Sequence, residues 1–203
     1  GAWSVEKLIA SDGEIEGVTP LLMNQFTDEA AAKATSRQSS AITGDQGSPE
    51  DQAKSKIYMH EETIIMPQPN IFKCIMEGGR FFKAGRSKVT TQKNSLIPAC
   101  VSMAKPFYEL LSEGGWSVDS RPVRNPSTGG RFLCYRPVFF DWRIKFDLEL
   151  DASLIDEKLL RQIVDCAGKR IGMCDFRPDT KGPFGKFVVK CWDSNELNQK
   201  EAA

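Results

Sequence analysis

The stretch Ile155–Trp192, IDEKLLRQIVDCAGKRIGMCDFRPDTKGPFGKFVVKCW, decides how the chain is read. Leu159, Leu160, Ile163, Val164 and Ala167 recur at helical spacing, with Asp156 as N-cap and Glu157 in the first turn. Gly168 is expected to stop this helix, and Lys169 and Arg170 suit the negative end of its dipole. A loop follows with Gly172, Pro178, Gly182, Pro183 and Gly185, carrying Arg177, Lys181 and Lys186. Phe187–Trp192 then makes a strand, and the polar residues after Asp193 are expected to fray. Two readings of the loop stand side by side. Either its backbone N–H groups and cations approach phosphates, or its glycines only turn the chain and its cations are solvated. A nucleoside-triphosphate site is disfavoured, because the loop leaves a helix C-terminus and no GxxxxGK[ST] is present.

Upstream, Val138–Leu150 reads as one long alternating strand. Trp142, Ile144, Phe146, Leu148 and Leu150 share one face, and Arg143, Lys145, Asp147 and Glu149 the other. Residues 116–137 read as an inserted basic hairpin turning at Asn125–Gly130, with Arg121, Arg124, Arg131 and Arg136 interleaved with Phe132 and Tyr135. Such a pattern suits base stacking and phosphate clamping; it suits equally a hairpin with ordinary salt bridges. Residues 83–95, KAGRSKVTTQKNS, carry Lys83, Arg86, Lys88 and Lys93 among hydroxyl and amide groups with no acid between them. This segment can hold a nucleic-acid backbone or be a solvated loop.

A helix is expected from Ile71, with Asn70 as its cap and Arg80, Phe81 and Phe82 further along. Residues 28–56 lose all apolar periodicity and read as an inserted mobile loop. Before it, Val5–Ile9 and Ile15–Met23 read as a strand pair or one interrupted strand, with Asp12-Gly13 as turn or bulge. In order, the elements give an α+β fold, a single ferredoxin-like or RNA-recognition-like β-α-β-β-α-β core with long insertions. Two helices would cover one sheet face and leave the other for ligand or insertions.

The 27 basic and 27 acidic residues cancel, which argues against an indiscriminate DNA coater. The sum hides a polarity: residues 1–65 hold 11 acidic and 5 basic side chains, and residues 71–100 hold 6 basic and one acidic, Glu77. Segregation of this kind suits one cationic face or head-to-tail self-association. The six cysteines show no CxxC, and the single His60 cannot complete a Cys2His2 set or an HExxH motif. They read as reduced thiols, mostly in apolar runs, of a cytoplasmic protein with no metal and no cofactor. No apolar run of about 18 residues suggests a membrane span.

Three segments resemble the RAMP superfamily, the crRNA-binding backbone subunits of CRISPR surveillance complexes. VTPLLMN (Val18–Asn24) resembles the first strand, MPQPNIFKCIMEGGRFFKAG (Met66–Gly85) the entry into the first helix, and AGKRIGMCDFRPDTKGPFGKFVV (Ala167–Val189) the glycine-rich loop with its strand. The likeness covers about half of the chain in outline, and its motifs are loose. Phage and prophage proteins are also similar. The RAMP resemblance implies an RNA-binding subunit that polymerises along a guide RNA with other effector subunits. Lys83, Arg86 and Lys88 match its basic region, and Lys181 and Lys186 its loop. Some such subunits cleave RNA with an aspartate; Asp28 and Asp45 fall in the equivalent insertion, but the surrounding motif does not match, so no catalysis is assigned. The alternatives are a phage single-stranded DNA-binding protein for replication or recombination and a structural assembly protein. An enzyme is the weakest reading, because no Ser-His-Asp order, metal cluster or phosphate loop is present.

Overall fold

The computed structural model describes residues 7–25 and 47–197. In chain order the strands are β1 (Leu8–Gly17), β2 (Leu21–Leu22), β3 (Met59–His60), β4 (Thr63–Pro67), β5 (Lys83–Ala84), β6 (Ser87–Lys88), β7 (Val101–Ser102), β8 (Phe107–Leu111), β9 (Trp116–Arg124), β10 (Arg131–Phe139), β11 (Arg143–Asp151) and β12 (Phe187–Glu196). The helices are α1 (Pro49–Lys54), α2 (Gln68–Gly78), α3 (Ile97–Cys100) and α4 (Glu157–Arg170). Together they make an α+β fold with a mainly antiparallel sheet and few helices.

The principal sheet runs β12–β1–β11–β8–β4–β3, with β7 also on β11. Its centre follows from alternation. Ile9, Ser11, Gly13 and Ile15 of β1 stand opposite Leu150, Leu148, Phe146 and Ile144 of β11, and this face is buried. Against it lie Ile71, Cys74 and Ile75 of α2 and Leu160, Ile163, Val164 and Ala167 of α4. The helices meet where Gly78 leaves no room: a Cβ there would stand 2.8 Å from Ala167 Cβ and from the Ile163 carbonyl oxygen.

The other face of β1 and β11 carries Asp12, Glu14 and Glu16 beside Asp147, Lys145 and Arg143. Asp12 stands directly opposite both Asp147 and Asp193 of β12, so three carboxylates cross three strands in a row. Like charges so placed repel.

Several expectations change. β1 runs unbroken through Asp12-Gly13 rather than turning there, and its irregularity against β12 falls between Glu14 and Ile15. The expected strand Val138–Leu150 is two strands, because the chain leaves the β2–β10–β9 sheet at Phe140 and enters the principal sheet at Arg143. Trp142 between them is buried, and its Nε1 donates to the Thr19 carbonyl at 2.9 Å. α2 begins at Gln68 after Pro67, so Asn70 lies inside the helix rather than capping it, and Gly79–Phe81 form a separate 3-10 turn. Gly168 does not end α4, which Asp156 caps as expected. A Cβ at Gly168 would meet the Phe187 carbonyl oxygen at 2.1 Å, so this glycine lets the helix press against β12. Gly172, at φ +73°, turns the chain instead. β12 continues to Glu196, where Lys7 pairs with it at 2.8 Å, so residues 194–196 are not frayed. Of the expected loop 28–56, residues 28–46, with Asp28 and Asp45, lie outside the described residues. Residues 49–54 form α1, held by a Ser48–Asp51 capping box.

Candidate nucleic-acid interface

Two hairpins carry most of the basic residues singled out from the sequence. In the small β5–β6 hairpin Lys83 stands directly opposite Lys88, with Arg86 in the turn beside Gly85 at φ +65°. In the long β9–β10 hairpin Arg124 stands directly opposite Arg131 next to the Asn125–Gly130 turn. All five side chains belong to exposed residues, and none forms an ion pair among the described residues. A directly opposed like-charge pair costs a fraction of a kcal/mol, about 0.2–1 on the scale of cross-strand pairs. Two such pairs on two hairpins are relieved by an anion.

Below the small hairpin an open groove of about 600 Å3 is lined by Arg80, Lys88, Thr90, Thr91, Gln92, Lys93 and Asn94, with no carboxylate. Its wall is fixed from beneath. Thr90 Oγ1 donates to the Met76 carbonyl at 2.6 Å, and Thr91 Oγ1 accepts from the Asn94 and Lys93 backbone N–H groups at 3.1 and 3.3 Å. Arg80 at the groove's edge is already paired with Glu77 and Asp179, whereas Lys88 and Lys93 with the hydroxyl and amide groups are the complement that a phosphodiester backbone takes.

The remaining arginines of the long hairpin do something else. Arg136 is buried, with Nη1 at 2.5 Å from Asp175 and Nη2 at 3.9 Å from Asp119, while its Nε has no partner. It ties the hairpin to the glycine loop and is not a surface cation, contrary to its place among the expected binding residues. Arg121 is half-buried, bonded to Asp119 at 3.0 Å and stacked 4.9 Å over Phe184. Both sit on the hairpin face toward the loop, since strand alternation sends Arg121 and Cys134 one way and Arg124 and Arg131 the other.

The loop itself is tightly built. Cys174, Phe176 and Lys181 hold φ values of +64°, +48° and +66° without being glycine, each a conformation of sparse population. Their cost is met by hydrogen bonds from Asp175 N to the Leu22 carbonyl, Gly185 N to the Pro20 carbonyl and Met173 N to the Gly185 carbonyl, at 2.8, 2.8 and 3.0 Å. Lys181 is exposed and Lys186 half-buried, neither in an ion pair among the described residues. Arg177 donates from Nη1 to the Cys174 carbonyl at 3.0 Å.

Between this loop, the end of β2 and α2 lies a cleft of about 230 Å3. Asn24, Tyr58, Asn70, Lys73, Cys74, Glu77, Cys174, Asp175, Arg177 and Asp179 line it. Burial pushes the Tyr58 hydroxyl upward and raises Cys74 far above an ordinary thiol. Cys174 as a residue is half-buried, yet its sulfur lies against Met66 Sδ at 3.8 Å, and burial pushes it up to about 12. Both thiols stay protonated near neutrality, which makes neither a nucleophile. Sequence reading named Arg177 here but not Lys73, Asn24 or Tyr58. The signal for α2 was present: Asn70, Lys73, Cys74 and Glu77 follow i, i+3, i+4, i+7 and share one face.

His60 is exposed and stacks on Phe107 at 4.5 Å. All six cysteines are free. Among the described residues no group of three or more His, Cys, Asp or Glu could hold a metal ion, and no helix is long and apolar enough to cross a membrane.

No protein-family model and no curated protein matches the chain. Among solved structures it is similar to a chain of the cryo-EM structure of the type III-B Cmr-beta bound to cognate target RNA. The TM-score is 0.55 at 11% identity, over 94% of this chain and 61% of that one. The chain thus spans about three fifths of the length of the structure it matches, and at this identity the likeness is one of fold.

Proposed function

We propose that the chain is a non-enzymatic RNA-binding subunit of a CRISPR-type effector complex, assembling with copies of itself along a guide RNA. The observation that carries the binding is two opposed cation pairs, Lys83 with Lys88 beside a groove lined by no carboxylate, and Arg124 with Arg131 next to the turn of the long hairpin. Fold supports the rest of the reading. The order β12–β1–β11–β8, with α2 entering before β8 and α4 before β12, supports a ferredoxin-like β-α-β-β-α-β core. In that plan the β9–β10 hairpin is inserted between the second and third strands. The structurally similar Cmr-beta chain belongs to an RNA-bound complex.

The test is purification at moderate salt followed by sizing, the 260/280 nm ratio and nuclease treatment. Co-purified RNA of uniform length in a nuclease-sensitive oligomer is expected. A clean protein ratio, with no binding to added single-stranded RNA at low salt, would sink the reading.

A further inference from the structure

The cysteines of this chain sit in unlike surroundings. Cys74, Cys100 and Cys174 are pushed up by burial, and Cys191 is exposed beside carboxylates. Cys134 has a different neighbour. It lies half-buried on β10, and its sulfur accepts a hydrogen bond from Lys56 Nζ at 3.5 Å. Among the described residues it is the one cysteine whose sulfur is hydrogen-bonded to a lysine.

The amine is held there from several sides. Lys56 follows the end of α1, where its backbone N–H donates to the Ala53 carbonyl at 3.0 Å and its carbonyl accepts from Gln25 N at 2.9 Å. Ala53 and Ile57 near it are buried and anchor this piece of backbone. The side chain crosses to β10, where Nζ also donates to the Tyr135 carbonyl at 2.7 Å. That second bond keeps the nitrogen beside the sulfur, and a pair fixed in this way reacts as though at high local concentration. Both residues are half-buried, so the pair is held by the fold and still open to a small solute.

We propose that Lys56 and Cys134 form a site of oxidative modification, in which a hydroperoxide joins them through a covalent sulfur–nitrogen bond. The thiol gives two electrons to the peroxide O–O bond and becomes a sulfenic acid, while the peroxide leaves as an alcohol, or as water from hydrogen peroxide. Lys56 sheds its extra proton to solvent, and its amine attacks the sulfenic sulfur. The S–N bond forms as the S–O bond breaks, and the hydroxyl leaves with an amine hydrogen as water. A sulfenic acid condenses in this manner with a backbone nitrogen; here a side-chain nitrogen already stands in place. The link ties the end of α1 to the long hairpin, across 78 positions of sequence. It does not depend on the nucleic-acid reading.

The experiment treats the full chain with a small excess of hydrogen peroxide, digests it without reductant and weighs the peptides, beside Lys56→Arg and Cys134→Ser. Arginine keeps the charge and a donor toward the Tyr135 carbonyl, but its guanidinium stays protonated and does not condense. The expected product joins the peptides of Lys56 and Cys134, is two hydrogens lighter than their sum, and is separated by dithiothreitol. Both variants lack it, and in Lys56→Arg the sulfenic acid at Cys134 persists and is trapped by dimedone. Absence of the joined peptides overturns the proposal. So does Cys134 found in a disulfide instead, a joined product that carries an extra oxygen, or a link at Cys134 that survives in Lys56→Arg.

Discussion

The open face of the principal sheet and the two basic hairpins break the same rule with opposite signs. On the open face Asp12 stands opposite Asp147 and Asp193; on the hairpins Lys83 stands opposite Lys88 and Arg124 opposite Arg131. Each arrangement costs stability and sets like charges side by side in a chain whose 27 cations and 27 anions cancel, although on the open face Lys145 and Arg143 flank the carboxylate row. The lesson concerns where a nucleic acid can lie. An RNA-recognition-like plan would leave the open sheet face for the ligand, but here three carboxylates stand in a row across that face. The groove and the cleft both adjoin α2, on the opposite side of the sheet.

The largest effect comes from removing the junction between the long hairpin and the principal sheet. Trp142 is buried, and it fills the space that Gly17 vacates, where a Cβ would lie 2.1 Å from its Nε1. Trp142→Ala is expected to cost about 3–5 kcal/mol in urea unfolding, as truncation of a buried aromatic does. A loss under roughly 1 kcal/mol, typical of surface changes, would mean that the sheet does not depend on this junction.

Next is the loop that walls the cleft. Gly185 has φ +78°, and a Cβ there would stand 2.0 Å from the Met173 carbonyl oxygen. Gly185→Ala should lower stability by more than about 1 kcal/mol, read as a fall in melting temperature. An unchanged transition would show that the loop is looser than its hydrogen bonds imply.

The two charge patches separate in binding. Arg131→Glu places opposite charges across the hairpin, so melting temperature should hold or rise slightly. The salt slope of single-stranded RNA binding should meanwhile fall by about 0.7 for each phosphate that the variant no longer neutralises. Asp12→Asn on the open face should relieve the carboxylate row and leave that slope where it was. Equal changes in slope from both variants would erase the distinction between the faces.

The smallest effect is chemical. Cys191 is exposed beside Asp12 and Asp193, whereas Cys74 and Cys174 at the cleft are raised by burial. A thiol reagent at about pH 8 should label Cys191 within minutes and the cleft cysteines only after denaturation. Rapid labelling of Cys74 would show that the cleft opens.

Much of the frame was legible because its signals are local. Asp156 with the 3.6-residue period of Leu160, Ile163, Val164 and Ala167 marked α4, and alternation from Ile144 to Leu150 marked β11. The Asn125–Gly130 turn between alternating flanks marked the long hairpin. Gly168 shows where local reasoning stops. As sequence it looks like a helix terminator, but its missing Cβ is needed by a strand that starts 19 residues later. Arg136 and Arg131 show the same limit within one strand. Both are arginines in a basic stretch, yet one is buried between two aspartates and the other exposed opposite a second arginine.

By itself the sequence determined the amphipathic elements, the absence of an acid from residues 83–95, and the neutrality of the whole, because these are properties of neighbours along the chain. Tertiary structure decided which charges meet. The carboxylate row draws Asp12, Asp147 and Asp193 from three strands, and the cleft draws Asn24, Lys73 and Arg177 from three separate elements. Pairing between residues so far apart in the chain depends on strand register and helix packing, which no local pattern encodes.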